Sequence, residues 1–242
     1  MAFTYASDTL APEACMREYH LQSQLGKGVA GTVWSACSDS KCQYAVKVQI
    51  IRPTNSTLPD TVISGGQFYF FAPTQNDFEN EVNYSFIASE LGVGPHVYSA
   101  WSCDHDVDVA GYIGYSLGFI AMDRIDTDLS AWARAHPSLF FQYQEVIFER
   151  LHQKYMTLLQ HGIAYHDLHG RNVGLKFDPT NGALVDVYIL DYGPTTINYY
   201  PDLATIPQHE FEYIETAIEN LRSNLTSEIG ILLQTQQIQA GM

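Results

Sequence analysis

The chain has 242 residues, 46% hydrophobic and 16% charged, enough apolar material for one large domain or two small lobes, and this excludes a disordered or fibrous polypeptide. Twelve Lys and Arg against 27 Asp and Glu leave a net charge of −15, so most of the surface would repel a phosphate backbone and nucleic acid is not expected as a direct partner. No stretch approaches the ~20 apolar residues of a membrane span, and residues 1–10 lack the basic start and apolar run of a signal peptide, so an intracellular protein off the membrane is expected.

In chain order, residues 21–50 alternate in the manner of strands, with 28–37 and 42–50 as the legs of a hairpin. Residues 53–76, rich in Pro, Thr, Ser, Gly and Asn, read as a long loop. Phe78, Val82, Phe86 and Ile87 fall on helical spacing, and the helix is predicted to stop at Gly92-Val93-Gly94-Pro95. A second strand pair is expected at 97–103 and 111–122. From Asp126 the pattern turns helical, with Ile147, Leu151, Tyr155 and Leu158 on one face and Gly162 beyond them. Two short apolar runs, 172–177 and 185–190, flank the hairpin-type turn Asp178-Pro179-Thr180-Asn181-Gly182. Phe211, Ile214, Ile218, Leu221 and Leu225 form the stripe of a helix over 208–225. The expected class is α+β, a β-rich lobe over 1–125 followed by a mainly helical lobe over 126–242.

Cys15, Cys37, Cys42 and Cys103 make no C-x-x-C pair, which leaves a zinc ribbon or a thioredoxin-type motif unsupported. Reduced thiols are the expectation for an intracellular chain, although Cys37 and Cys42 bracket a short turn and could face each other across the hairpin.

Three segments carry chemistry. Leu25-Gly26-Lys27-Gly28-Val29-Ala30-Gly31-Thr32-Val33 contains G-x-G-x-x-G-x-V across a strand turn, where Gly26, Gly28 and Gly31 would let backbone amides approach a polyphosphate. A plain glycine-rich turn would also explain it, and a dinucleotide fold is disfavoured because a strand follows rather than a helix. Ala45-Val46-Lys47 puts an ammonium in an apolar strand, where it needs an anion. Glu81, or else Glu79, on the following helix is the candidate, and the pair would hold Lys47 towards two phosphates. The alternative is a snorkelling lysine and an exposed glutamate. Finally, Tyr165-His166-Asp167-Leu168-His169-Gly170-Arg171-Asn172 precedes Ile189-Leu190-Asp191-Tyr192-Gly193. Asp167 can accept or orient an acceptor hydroxyl, while Asn172 and Asp191 are hard oxygen ligands suited to Mg²⁺.

In this order the motifs resemble those of eukaryotic-type protein kinases, from Leu25 to Gly193. Phe119-Ile120-Ala121-Met122-Asp123-Arg124-Ile125 and Val187-Tyr188-Ile189-Leu190-Asp191-Tyr192-Gly193 are similar to the vaccinia-related, casein-kinase-like branch. The resemblance implies a bilobal fold with a shortened helical lobe and transfer of the γ-phosphate of ATP, with Mg²⁺, to a Ser or Thr of a protein substrate. It assigns Leu25, Gly26, Lys27, Gly28, Gly31, Val33, Ala45 and Lys47 to the nucleotide, Met122 to the gatekeeper position, and Asp123, Arg124 and Ile125 to a hinge facing adenine. It also implies a cytoplasmic or nuclear setting, including that of a viral protein in a host cell.

The chain departs from the family at several positions. Tyr165-His166-Asp167 stands where the family has His-Arg-Asp, so the arginine that receives an activating phosphate is absent and switching by phosphorylation is not expected. His169 replaces the lysine common in Ser/Thr kinases, and Arg171 is the candidate to supply its charge, somewhat as in tyrosine kinases. Asp167-Leu168-His169 is also similar to small-molecule kinases. Only 49 residues follow Gly193, without an Ala-Pro-Glu motif; RIO-type kinases are similarly short. Thr195, Thr196, Tyr199 and Tyr200 are candidate autophosphorylation sites, with a plain polar loop as the favoured alternative. His161, His166 and His169 are not expected to form a transition-metal cluster, since the catalytic-loop reading accounts for two of them. Three functions follow: a protein kinase, a kinase of a small hydroxylated molecule, and a nucleotide-binding pseudokinase scaffold. The acidic surface fits a basic protein partner; no sequence feature sets an oligomeric state.

Overall fold

A computed structural model of the chain describes residues 15–28, 30–39, 41–53, 56–64, 67–109, 112–193 and 195–240; the readings of residues 1–10 and of Val29 lie outside them. Contacts divide the chain into two compact units, Met1–Phe86 with His96–Arg124, and Ile87–Pro95 with Ile125–Met242.

The first unit is built on an antiparallel sheet. Its strands are β1 (His20–Lys27), β2 (Gly31–Ser38) and β3 (Lys41–Ile51). A small hairpin of β4 (Thr61–Ser64) and β5 (Gln67–Phe71) follows, where the Pro- and Gly-rich composition had suggested only loop. Helix α1 (Gln75–Glu90) precedes β6 (Val97–Val109) and β7 (Tyr112–Asp123), and the sheet order is β1-β2-β3-β7-β6. A reciprocal cap starts α1: Thr74 Oγ1 accepts from Asp77 N at 3.1 Å, and Asp77 Oδ2 accepts from Thr74 N at 2.9 Å. The helix buries Phe78 in a cluster with Ile51, Val97 and Ile120, and Val82 and Phe86 pack on the same cluster. Glu81 lies one turn beyond Phe78, so the packing that fixes the helix also fixes this carboxylate against the sheet.

The cysteine expectation is corrected. Cys15 pairs with Cys103 and Cys37 with Cys42, leaving no free thiol. Cys15 is carried to β6 by packing: Trp101 Nε1 donates to Cys15 O at 2.7 Å, and the Trp101 ring is stacked between Tyr19 and Phe119. The Cys15–Cys103 bridge spans 88 positions, so by chain entropy it contributes about 4.6 kcal/mol, against about 2 kcal/mol for the short Cys37–Cys42 loop. Disulfides of this kind persist where the surroundings are oxidising.

In the second unit, the two-residue strand β8 (Thr127–Asp128) leads into α2 (Leu129–Ala135), capped by Asp128 Oδ1 accepting from Ala131 N at 2.8 Å. Pro137 opens α3 (Pro137–Gln160), whose predicted face, Ile147, Leu151, Tyr155 and Leu158, is fully buried. Then come β9 (Ile163–Tyr165), the hairpin β10 (Val173–Phe177) and β11 (Leu184–Ile189), and β12 (Ile197–Tyr199). The last element, α4 (Gln208–Ala240), buries Ile214, Ile218, Leu221 and Leu225 and runs well past the predicted end at 225, adding Ile229 to the stripe. The class is α+β, a β-rich part and a helical part. Among the described residues no helix is long and apolar enough to cross a membrane.

Candidate active site

Lys47 sits in the middle of β3, opposite Val33 of β2 and Ile120 of β7. Its Nζ meets Glu81 Oε1 at 2.5 Å; the Glu81 side chain is 2% exposed and that of Lys47 12%. Gln49, two residues along the strand and therefore on the same face, donates from Nε2 to Glu81 Oε2 at 2.9 Å. Both carboxylate oxygens thus receive a donor, which a buried charge requires. Glu81 is the partner, whereas Glu79 turns to Gln75 Nε2 at 2.9 Å. The snorkelling alternative does not hold for this lysine. Gln49 was not singled out in the sequence, although the strand's alternation placed it on the face of Lys47.

The glycine segment forms the β1–β2 turn. Gly28 N donates to Gly31 O at 2.8 Å, and Gly26 pairs with Val33 and Lys27 with Thr32. Gly31 is demanded by the fold, because a Cβ there would strike the Val48 carbonyl of β3. Gly26 is not: a Cβ would meet nothing within 4 Å, and at Gly28 the nearest atom would be 3.8 Å away. Leu25 is exposed and Ala45 buried. At the end of β7, Met122 faces Ala45 and Asp123 faces Tyr44. Asp123 N donates to His96 O at 2.8 Å and Arg124 N to Gln43 O at 2.9 Å, so a base at this strand end cannot use those two donors. Asp123 Oδ1 accepts from Tyr98 OH at 2.7 Å, and this bond pushes the Tyr98 phenol up to about 12. Ile125 lies in the second unit, against Gly174 of β10.

The loop between β9 and β10 carries the other candidates. Asn172 is buried, and its Nδ2 donates to Asp167 Oδ2 at 3.0 Å, to Asp167 O at 3.1 Å and to the Tyr165 hydroxyl at 3.1 Å. Tyr165 OH donates to Leu190 O at 2.8 Å, and Leu190 N donates to Asn172 O at 2.9 Å, prolonging the β10–β11 ladder by one rung. The hairpin therefore brings Asn172 and the Leu190-Asp191 step to the same end. Burial first, and then the charges of Asp191 and Asp167, hold the Tyr165 phenol well above its ordinary range, so it remains a hydrogen-bond donor. Gly170 is required by close approach, since a Cβ would run into Ser130 of α2.

Asp191 is exposed and has φ +63°, a left-handed conformation uncommon outside Gly, Asn and Asp and concentrated at functional sites. His169 Nε2 lies 3.8 Å from Asp167 Oδ2, and Arg171 is exposed. The three histidines serve separate partners: His161 Nδ1 is 2.8 Å from Thr157 O, and His166 faces Glu210. Among the described residues no group of three or more His, Cys, Asp or Glu could hold a metal by itself. Mg²⁺, however, takes one or two protein oxygens and completes its shell with phosphate and water. Asn172, its amide nitrogen committed to Asp167, and Asp191 are donors of that kind.

No protein-family model matches the chain, and no curated protein matches it.

Proposed function

We propose that the protein is an ATP- and Mg²⁺-dependent protein kinase acting on Ser or Thr, with a kinase-like two-lobed arrangement. The observation that carries the reading is Asn172, one amide nitrogen fastened to both the carboxylate and the carbonyl of Asp167. Such fastening suits a carboxylate that must orient a hydroxyl and an amide oxygen that must meet a metal. The Lys47–Glu81 pair supports it from the first unit.

In this mechanism Lys47, held by Glu81 and not free to swing, would neutralise phosphate oxygens. The β1–β2 turn would lie over them, its glycines allowing close approach of the backbone, and the Asp123 carbonyl would meet the base. Asp167 would accept or orient the acceptor hydroxyl, with His169 beside it. Asn172 and Asp191 would hold Mg²⁺, which supplies charge neutralisation on the phosphates. Placement and electrostatics are what phosphoryl transfer asks of a protein. The net charge of −15 favours a basic protein substrate, with attraction that weakens in salt. With both disulfides formed, an oxidising compartment or particle is the setting in which this enzyme would work.

The test is incubation of the oxidised full chain with γ-labelled ATP and Mg²⁺, offering basic and acidic proteins against sugars, choline and aminoglycosides. Label is expected in protein, on Ser or Thr. Label in a small molecule instead would move the reading to a small-molecule kinase, and ATP binding without any transfer would make the chain a scaffold.

A further inference from the structure

Glu210 is 1% exposed, in the first turn of α4, and its carboxylate faces the strand that leads into the Asp167 loop. Oε1 accepts from Tyr200 OH at 2.6 Å and from Asn198 Nδ2 at 3.2 Å. Oε2 faces His166 Nε2 at 3.1 Å and has no hydrogen-bond partner of good geometry, while Asn198 Nδ2 is 3.1 Å from the same ring nitrogen. Asn198 Nδ2 is within hydrogen-bond reach of both Glu210 Oε1 and His166 Nε2, so it links the carboxylate to the ring. The helix N-terminus adds favourable potential for the anion. Burial pushes the Glu210 carboxyl up, but the Tyr200 and Asn198 donors and His166 outweigh it and leave it below its ordinary range.

His166 is held by both its backbone and its ring. Its N–H donates to Thr196 O at 2.7 Å, its carbonyl accepts from Tyr213 OH at 2.9 Å, and its ring lies against Tyr213 and opposite Glu210. Around it β12 pairs with β9, Ile197 opposite Tyr165, and Tyr200 N donates to Gly162 O at 2.7 Å. The next residue is Asp167. Fixing the peptide and ring of His166 fixes the direction in which Asp167 leaves the chain.

We infer that Glu210 is a positioning residue for Asp167, acting through His166: a carboxylate encoded in α4 that clasps the segment after Gly193 onto the Asp167 loop, so that this loop is ordered without phosphorylation. The inference rests on the phosphotransfer reading, and it adds an anion from the chain itself where the sequence lacks the phosphate-receiving arginine. Tyr200 is thereby a donor in the clasp rather than an activating modification site.

The experiment compares the full-length protein with Glu210→Ala, Glu210→Gln and Tyr200→Phe, by steady-state kinetics and by amide hydrogen exchange over 163–167 and 196–200. Glu210→Ala is expected to speed exchange in both segments and to lower kcat by tenfold to a hundredfold, with KM for ATP unchanged, as misplacement of a reacting group does. Glu210→Gln should recover most of kcat, because its amide oxygen can keep the bonds from Tyr200 OH and Asn198 Nδ2. Tyr200→Phe should show a smaller loss of the same kind, which keeps the test decisive should the Ala variant fail to fold. Phosphatase treatment of the wild type should leave kcat unchanged. Unaltered exchange in the variants, a KM effect without a kcat effect, or loss of activity on dephosphorylation each overturns the inference. If the wild type transfers no phosphate, the kinase reading falls and the positioning role with it, while the exchange comparison still decides whether the clasp orders the loop.

Discussion

Asp167→Asn is expected to lower kcat about 10³-fold, roughly 4 kcal/mol of transition-state stabilisation, while ATP binding stays near wild type. The substitution isolates the chemistry from the fold. Asn172 Nδ2 donates to Asp167 Oδ2 and to the Asp167 carbonyl, and an asparagine at 167 can present its side-chain oxygen to the same donor. The loop should therefore keep its shape and its Tyr165 and Leu190 bonds. What is lost is the negative charge that accepts or orients the acceptor proton. Steady-state kinetics with nucleotide affinity measured separately provides the check. A variant that transfers phosphate at close to the wild-type rate would remove Asp167 from the mechanism.

Lys47→Met is expected to act on two levels. Transfer should fall by on the order of 10³-fold, because a preorganised cation on the phosphates is lost. Stability should also fall, because Glu81, at 2% exposure, keeps only the Gln49 donor and becomes a buried charge without a counter-ion. Breaking a buried pair costs about 3–5 kcal/mol, and the surviving Gln49 bond puts this case near 3. For a chain of this size that is about 10 °C in Tm. The double variant Lys47→Met/Glu81→Gln separates the two effects: it should regain most of the lost stability and none of the activity. Recovery of activity in the double variant would mean that the ammonium does no more than neutralise Glu81.

Where one local rule dominates, the sequence was a sufficient guide. The alternation of β2 and β3, the 3–4 spacing of Phe78 and Val82, and the face Ile147, Leu151, Tyr155 and Leu158 all depend on which side of an element meets the core. The missing pieces depend on distant partners or on weak local signals. The β4–β5 hairpin lies in a segment whose Pro, Gly and Ser content reads as loop, and α2 is only seven residues long, although Asp128 and Pro137 mark its two ends. The stripe of α4 was lost after Leu225 because Gly230 and a polar tail dilute it, yet Ile229 is fully buried.

The candidate site shows the same division. Lys47 and Glu81 were legible because an ammonium in an apolar strand demands an anion, and the structure brings these two together within the first unit. Asp167 and Asn172 were legible from their spacing, and hydrogen bonds join them in the second unit. Gln49 and Glu210 were not. An acidic residue in a first helical turn looks like an ordinary dipole complement until Tyr200, Asn198 and His166 converge on it. Nor could spacing announce the pairing of Cys15 with Cys103 across 88 positions, which follows from the stacking around Trp101.

The most direct measurement is labelling by an acyl-phosphate analogue of ATP, which acylates an amine lying beside the bound phosphates, with the modified residue located by mass spectrometry. The account predicts Mg²⁺-dependent acylation of Lys47, suppressed by excess ATP and abolished by Asp191→Asn, because Asp191 is the residue proposed to hold the Mg²⁺ that the phosphates require. An unlabelled Lys47, or labelling indifferent to Asp191→Asn, would contradict it.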